Sequence, residues 1–420
     1  MGRARLSAAP ACRGADGYQA AFEGRRTFLL RPAVLARAKA RGPDDPATGP
    51  AWRTVFKRAD AALAGPLYSV TQKTRVPPSG DRHDYMSMGP YWWPDPARPR
   101  GEPYLRRDGQ VNPERDGPAF DVTSLQSMSD AVEALSLAYD LSDDPRYARK
   151  AAALLRAWFL DPATRMNPNA NFAQGIPGRV TGRAEGVLDT FRLLPVVDGV
   201  GLIAPSHALT AAEQAGLRAW FADYVAWMAA SANGQAERAA KNNHGLWYDL
   251  QFIDFALFAG EAGKARAVAA RFPQRLTAQI GPDGAMPLEL ERTRALHYTL
   301  FALQAAEGVA DLARCLDVDI WNFATPDGRG LKAALDFVLP YVGREAAFPF
   351  PEPNPGPSEE MLEVMGRAAH AYGGAYVAAA GQVAAQRPQS DLLLTLAPPC
   401  PLAARAAHGH ASPGPSEMGC

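Results

Sequence analysis

Three stretches of the chain combine residue types able to handle an acidic substrate. The first is Lys241-Asn242-Asn243-His244-Gly245-Leu246-Trp247-Tyr248, which opens an apolar run. Read as the first turn of a helix, it offers an amide, an imidazole and the positive end of the peptide dipoles, a seat suited to a carboxylate. The second runs from Pro287 through Glu289, Glu291, Arg292, Thr293 and Arg294 to His297 and Tyr298. Its Leu-Glu-Leu-Glu alternation suggests extended chain entering a helix near Thr293 or Arg294. Arg294 and Tyr298 then share a face four residues apart, with Arg292 at or before the helix start. The third is Tyr85-Met-Ser-Met-Gly-Pro-Tyr91-Trp92-Trp93-Pro94-Asp95-Pro96. Its rings are held among prolines and could stack on the apolar faces of sugars. Each stretch also has a purely structural reading: asparagine as a helix cap, arginines as solvated charges with Glu291 pairing Arg294, aromatics as packing over a cleft.

The elements that must carry these residues read as helices almost throughout. Apolar residues recur at three and four spacing over 50–66, 123–141, 145–160, 210–231, 244–260, 263–280, 294–316 and 358–384. Helix starts are signalled at Asp144-Pro145, Thr210 with Glu213, and Ser358 with its following glutamates. Short connections at 141–145 and 260–264 predict antiparallel pairs, and no fixed-period repeat marks an open solenoid. The expectation is therefore an all-α fold, an (α/α) toroid forming an incomplete barrel of about six to seven helix pairs, with little regular β structure. Two long segments, 67–122 and 161–185, interrupt the helices, and loops of that length in a compact domain are usually functional. The second holds Asn167, Asn169, Asn171, Gln174, Arg179 and Arg183. The expected division is an N-terminal tail over 1–25, one toroid domain over 26–385 and a disordered C-terminal tail over 386–420.

Composition narrows the partners. With 44 Lys+Arg against 44 Asp+Glu the net charge is zero, so there is no single-sign field to attract nucleic acid. No apolar run approaches the roughly 18 residues of a membrane span. Four dispersed cysteines, Cys12, Cys315, Cys400 and Cys420, suggest neither a disulfide framework nor a thiolate zinc site, and the histidines show no metal-ligand spacing. HExxH, phosphate-loop and nucleophile-elbow motifs are absent. No metal and no cofactor is expected.

Taken together, YMSMGPYWWPDP, WFLDPATRMNPNANFAQGIPGR followed by GRAEGVLDT, NNHGLWYDLQ and ELERTRALHYTLFAL resemble, in order, the alginate lyase superfamily of helical toroid polysaccharide lyases. In detail they are most similar to polysaccharide lyase family thirty-eight, which includes alginate and glucuronan lyases. The resemblance spans about 80–350. It implies that Asn243 and His244 neutralise a uronate carboxylate, that Tyr298 transfers the proton, and that an arginine shortly before it, Arg292 or Arg294, assists, with Arg292 favoured. Tyr91, Trp92, Trp93, Arg183, Arg294, His297 and Trp247 are the expected substrate contacts. The partner implied is an anionic polysaccharide, and the location periplasmic or secreted, although MGRARLSAAPACRGADG lacks the apolar core of a signal peptide.

The chemistry explains the residue types. β-Elimination from a 1,4-linked uronate removes the C5 proton, which is far too weakly acidic until the C6 carboxylate is neutralised. Donors placed for the resulting enolate are each worth ~3–4 kcal/mol. In mannuronate and glucuronate the C5 hydrogen and O4 lie on the same side of the ring, so one tyrosine can take the proton and return it to O4. In guluronate they lie on opposite sides, and His244 is the candidate for a separate base. Two rival readings have their own signatures. A toroid glycoside hydrolase needs two carboxylates about 6.5–9.5 Å apart if inverting, drawn from Glu289, Glu291, Asp95 and Asp121. A glycan-binding scaffold keeps the aromatics and arginines and has no use for Tyr298.

Overall fold

The computed structural model describes residues 27–396. Its helices follow from the local signals. Thr210 forms a capping box with Glu213, Asp144 accepts from the Arg146 N–H, and Ser358 accepts from the Met361 N–H. These caps satisfy amides that a helix start leaves without intrahelical partners.

The order is α1 (Pro32–Arg41), α2 (Gly49–Ala64), β1 (Met86–Met88), β2 (Trp92–Trp93), β3 (Leu105–Arg106), α3 (Val122–Ser142), α4 (Pro145–Leu155), β4 (Phe172–Gly175) and α5 (Leu194–Ile203). It continues with α6 (Ala211–Ala230), α7 (Ala232–Ala239), α8 (Asn243–Phe258), α9 (Ala262–Gln279), α10 (Pro287–Leu290) and α11 (Ala295–Ala313). The last are α12 (Leu331–Val338), α13 (Glu359–Tyr372), α14 (Ala375–Gln386) and α15 (Leu392–Thr395). The inner wall is formed by α3, α5, α8, α11 and α13, each packed on the next, while α4, α6, α9 and α14 back them from outside. The ring is closed by α1 and α15, which bridge α3 and α13. This is the expected (α/α) toroid.

Inner helices are buried nearly all round, so most of the polar groups they carry are paired, although the buried carboxylates of Asp254 on α8 and Glu307 on α11 have no hydrogen-bond partner. On α8, Asp249 takes Arg271 at 2.9 Å and Arg275 at 2.6 Å from α9, and Gln251 accepts from Thr190 at 2.7 Å. The long segment 67–122 is fixed at both ends by a buried ion pair, Lys73 Nζ to Asp121 Oδ2 at 2.9 Å.

Three sequence expectations change. The long loops hold two small sheets, β1 parallel to β4 and β2 antiparallel to β3. The Leu-Glu-Leu-Glu stretch is the short helix α10, because Pro287 suits a first helical position, and the long helix begins after Arg294. Residues 387–396, assigned by sequence to the tail, are folded: Leu393 and Leu394 are buried, Asp391 pairs with Arg58, and Ser390 bonds Glu359. The remaining predicted tail residues lie outside those described. Among the described residues no helix is long and apolar enough to cross a membrane.

Candidate active site

A cleft of about 750 Å³ opens where the long loops cover the ring. Four walls meet there. The β2–β3 hairpin supplies Tyr91, Trp92 and Arg106; α7 and the start of α8 supply Glu237, Asn243 and His244; the α10–α11 segment supplies Arg292, His297 and Tyr298; the stretch around and after β4 supplies Gln174, Arg183 and Glu185.

The start of α8 is built around two carboxylates. Asn243 donates both its main-chain N–H and its Nδ2 to Glu289, each at 2.6 Å, and both residues are 1 % exposed. The anion that sequence places at this helix N-terminus is thus partly the protein's own. Burial raises the Glu289 pKa, and the Asn243 bonds oppose that rise. Next in sequence, His244 Nδ1 shares a 2.6 Å hydrogen bond with Glu237 of α7, leaving Nε2 as the imidazole's other functional atom. Burial works against a charged His244, yet the Glu237 carboxylate outweighs it and raises its pKa; burial also raises Glu237, so the pair retains its proton more firmly. Gly245 follows because a Cβ there would collide with the Arg275 guanidinium and the Ala240 carbonyl, which are bonded to each other at 2.8 Å.

Across the cleft the Arg292 guanidinium lies 3.6 Å from the centre of the Tyr298 ring and is held from behind by Asp108, Nη2 to Oδ1 at 3.1 Å. The Tyr298 hydroxyl bonds that of Tyr91 at 2.6 Å. Burial first, then the Tyr91 hydrogen bond, raises the Tyr298 pKa well above the ordinary phenol value, while Arg292 pulls it down. At the side wall Arg183 bonds Glu185 at 2.7 Å and Gln174 Oε1 at 2.8 Å. Gln174, at φ 48°, in turn donates to the buried Asp189 at 2.9 Å.

The structure therefore brings Tyr298, Arg292, Asn243 and His244 into one cleft with Tyr91, Trp92, Arg183 and His297. Three expected contacts lie elsewhere. Trp247 is buried, its ring 4.6 Å from Phe301 and 4.9 Å from Phe191, and it lines a neighbouring cavity that shares His297 and Phe301 with the cleft. Arg294 precedes α11, with Nε 4.0 Å from Glu352. Trp93 turns to the Gln110 carbonyl, 2.9 Å away, under the Arg107 guanidinium. Of the two arginines, Arg292 alone lines the cleft. None of Glu289, Glu291, Asp95 or Asp121 lines it, so the carboxylate pair expected of the hydrolase reading is missing from these candidates. Glu237, Glu289 and Asp108 were not legible as positioning groups, since each lies on a different element from the residue it holds. Among the described residues no group of three or more His, Cys, Asp or Glu side chains is placed to hold a metal ion.

Comparison with known proteins identifies the family and the fold. The family model described as alginate lyase matches residues 69–348. A crystal structure of an alginate lyase from Bacteroides ovatus is 40% identical, with a TM-score of 0.84 over 89% of this chain and 99% of that one. Alginate lyase A1-III from Sphingomonas species A1 shares the fold at 16% identity, with a TM-score of 0.52 over 82% of this chain and 95% of that one. A single-substitution variant of A1-III, complexed with a tetrasaccharide, is 16% identical with a TM-score of 0.50, over 75% of this chain and 86% of that one. No curated protein matches the chain by sequence. Family and fold are those of a polysaccharide lyase built on an (α/α) toroid. The chain belongs to the alginate lyase family.

Proposed function

We propose that the protein cleaves 1,4-linked polyuronates, mannuronate-rich alginate and glucuronan before guluronate, by β-elimination with Tyr298 as both base and acid. The observation that carries this reading is the Arg292 guanidinium 3.6 Å from the Tyr298 ring centre, in the cleft that His244 and Asn243 also line. A substrate carboxylate drawn among Arg292, His244 and the Asn243 amide is neutralised, which acidifies C5. The charge that develops at C6 is met by donors already oriented by Asp108, Glu237 and Glu289. Tyr298 takes the C5 proton and returns it to O4 as the glycosidic bond breaks. The electron pair of the C5–H bond becomes the C4–C5 double bond while the pair of the C4–O4 bond leaves with O4, which takes the proton, so neither water nor a redox partner is consumed. Arg183, Trp92, Tyr91 and His297 contact the sugar chain.

Location and domain organisation belong to the same proposal. A polyuronate is met outside the cytoplasm, which supports a periplasmic or secreted enzyme. Residues 27–396 form its single lyase unit.

The test is product chemistry on polymannuronate, glucuronan and polyguluronate. Elimination gives 4,5-unsaturated uronides that absorb in the near ultraviolet. New reducing ends without that absorbance mean hydrolysis, and binding without either means a glycan-binding protein.

A further inference from the structure

Tyr91 and Asp108 are delivered by the same hairpin. Trp92 pairs with Arg106 across β2–β3, and the Arg107 N–H donates to the Tyr91 carbonyl at 2.8 Å. A phenol and a carboxylate are thereby presented together to the α10–α11 segment. The phenol meets Tyr298. The carboxylate meets Arg292 in a two-point contact, Nη2 to Oδ1 at 3.1 Å and Nε to Oδ2 at 3.3 Å, and Thr293 Oγ1 approaches Oδ2 at 3.4 Å. Arg106 donates to Oδ1 at 2.7 Å. The next residue, Gly109, has φ 74°, and a Cβ there would lie 2.6 Å from Thr293 Oγ1. The turn after Asp108 is therefore pressed against the entry to α11, which fixes where its carboxylate stands.

We propose that Asp108 is a positioning residue for the reaction, fixing the Arg292 guanidinium over the Tyr298 ring while offsetting part of its charge, so that the arginine is shared between the hairpin's carboxylate and the substrate's. The link to catalysis rests on Tyr298 being the proton carrier. A guanidinium has five N–H donors, and two engaged by Asp108 leave three for a uronate carboxylate. Other charged or titratable groups also face Tyr298. Its own segment carries Arg292 and His297, the latter 3.4 Å from Glu360 of α13. The hairpin carries Tyr91, Asp108 and Arg106, and the remaining walls carry His244 with Glu237 and Arg183 with Glu185. Of these, Tyr91, Arg292 and Asp108 act most directly on the phenol, and Asp108 acts to keep it protonated.

The experiment compares Asp108→Asn, which keeps the shape and loses the charge, with Asp108→Glu, which keeps the charge. Ionisation of Tyr298 is read as the ultraviolet difference between each protein and the same protein carrying Tyr298→Phe, recorded within milliseconds of an alkaline pH jump so that the fold stays closed. Removing an anion beside a phenol favours phenolate, so Asp108→Asn is expected to ionise about half a pH unit or more lower, with Asp108→Glu near wild type. An unmoved titration in Asp108→Asn overturns the proposal. This measurement needs no substrate, so its outcome stands whether or not the lyase reading does. With polymer, the rise of kcat/KM with pH is expected to shift down by the same amount in Asp108→Asn. A uniform loss at every pH with the rise unmoved would make Asp108 a brace only and would equally overturn it.

Discussion

Tyr91 and Tyr298, 207 residues apart in sequence, share a 2.6 Å hydrogen bond between their hydroxyls. The bond closes the aromatic loop onto the start of the long inner helix α11 and satisfies a phenol that burial would otherwise leave without water. It also holds Tyr298 neutral at rest, because burial and the Tyr91 hydroxyl together outweigh the pull of Arg292. In the proposed mechanism this neutral phenol is the form that protonates O4. In that mechanism Tyr298 acts first as base, for which the substrate has to displace the Tyr91 hydroxyl, with Arg292 already over the ring.

Tyr298→Phe tests that role. The ring is 7 % exposed and the substitution deletes only the hydroxyl, so the fold and substrate affinity are expected to persist. Turnover is expected to fall ~10²–10⁴-fold, the usual contribution of a general acid or base. Retention of more than about a tenth of wild-type kcat would remove Tyr298 from proton transfer.

Asn243→Ala and His244→Ala are expected to lower kcat more than they raise KM, since the enolate carries more charge at C6 than the bound substrate does. Loss through KM alone would make them binding groups. Arg292→Ala is expected to be severe and Arg294→Ala mild, as only Arg292 reaches the cleft.

Glu289→Ala isolates the orienting shell. It strips the acceptor from the Asn243 main-chain and side-chain donors at once. The expected cost is about 1–3 kcal/mol of stability, measured by urea unfolding, together with a fall in kcat. Full stability in that variant would mean that water replaces the carboxylate without penalty.

The ring and the three chemical stretches were legible because they depend on short-range signals: three-and-four spacing, caps such as Thr210 and Asp144, and the clustered polar residues of NNH and ERTR. What was not legible depends on tertiary approach. Trp247 follows His244 by three residues, yet the helix turns its indole against Phe191 and Phe301. Arg294 is two residues from Arg292, but α11 begins only after it, so the two guanidinia diverge. Glu237 and Asp108 gain meaning only when α7 and the hairpin arrive beside His244 and Arg292.

The folded segment 387–396 gives a stability test away from the site. Leu394 is fully buried, and Leu394→Ala is expected to cost about 2–5 kcal/mol, with Asp391→Ala adding loss of the Arg58 pair. Both are read as lower thermal midpoints. An unchanged midpoint for Leu394→Ala would show that this segment does not help close the ring.

The last prediction concerns pH and stereochemistry together. The Glu237 carboxylate raises the His244 pKa above its ordinary 6.5 despite burial, so the charged pair contributes stability in full below about pH 6.5. That contribution is lost as pH rises through the folded value, so the destabilisation by His244→Gln is expected to be larger near pH 6 than near pH 9. In the proposed mechanism, catalysis on the syn polymers, polymannuronate and glucuronan, uses Tyr298 for both proton transfers and tolerates a protonated His244 that pairs the substrate carboxylate. Polyguluronate needs a base on the opposite face of the ring, and His244 serves there only when neutral. Its cleavage is therefore expected to be slow and to decline as pH falls through the raised His244 pKa, while polymannuronate cleavage persists. The measurement is a pH–rate profile on each polymer for wild type and His244→Ala. Polyguluronate cleaved as fast as polymannuronate, with the same profile and no greater sensitivity to His244→Ala, would sink the single-tyrosine syn mechanism as the source of specificity.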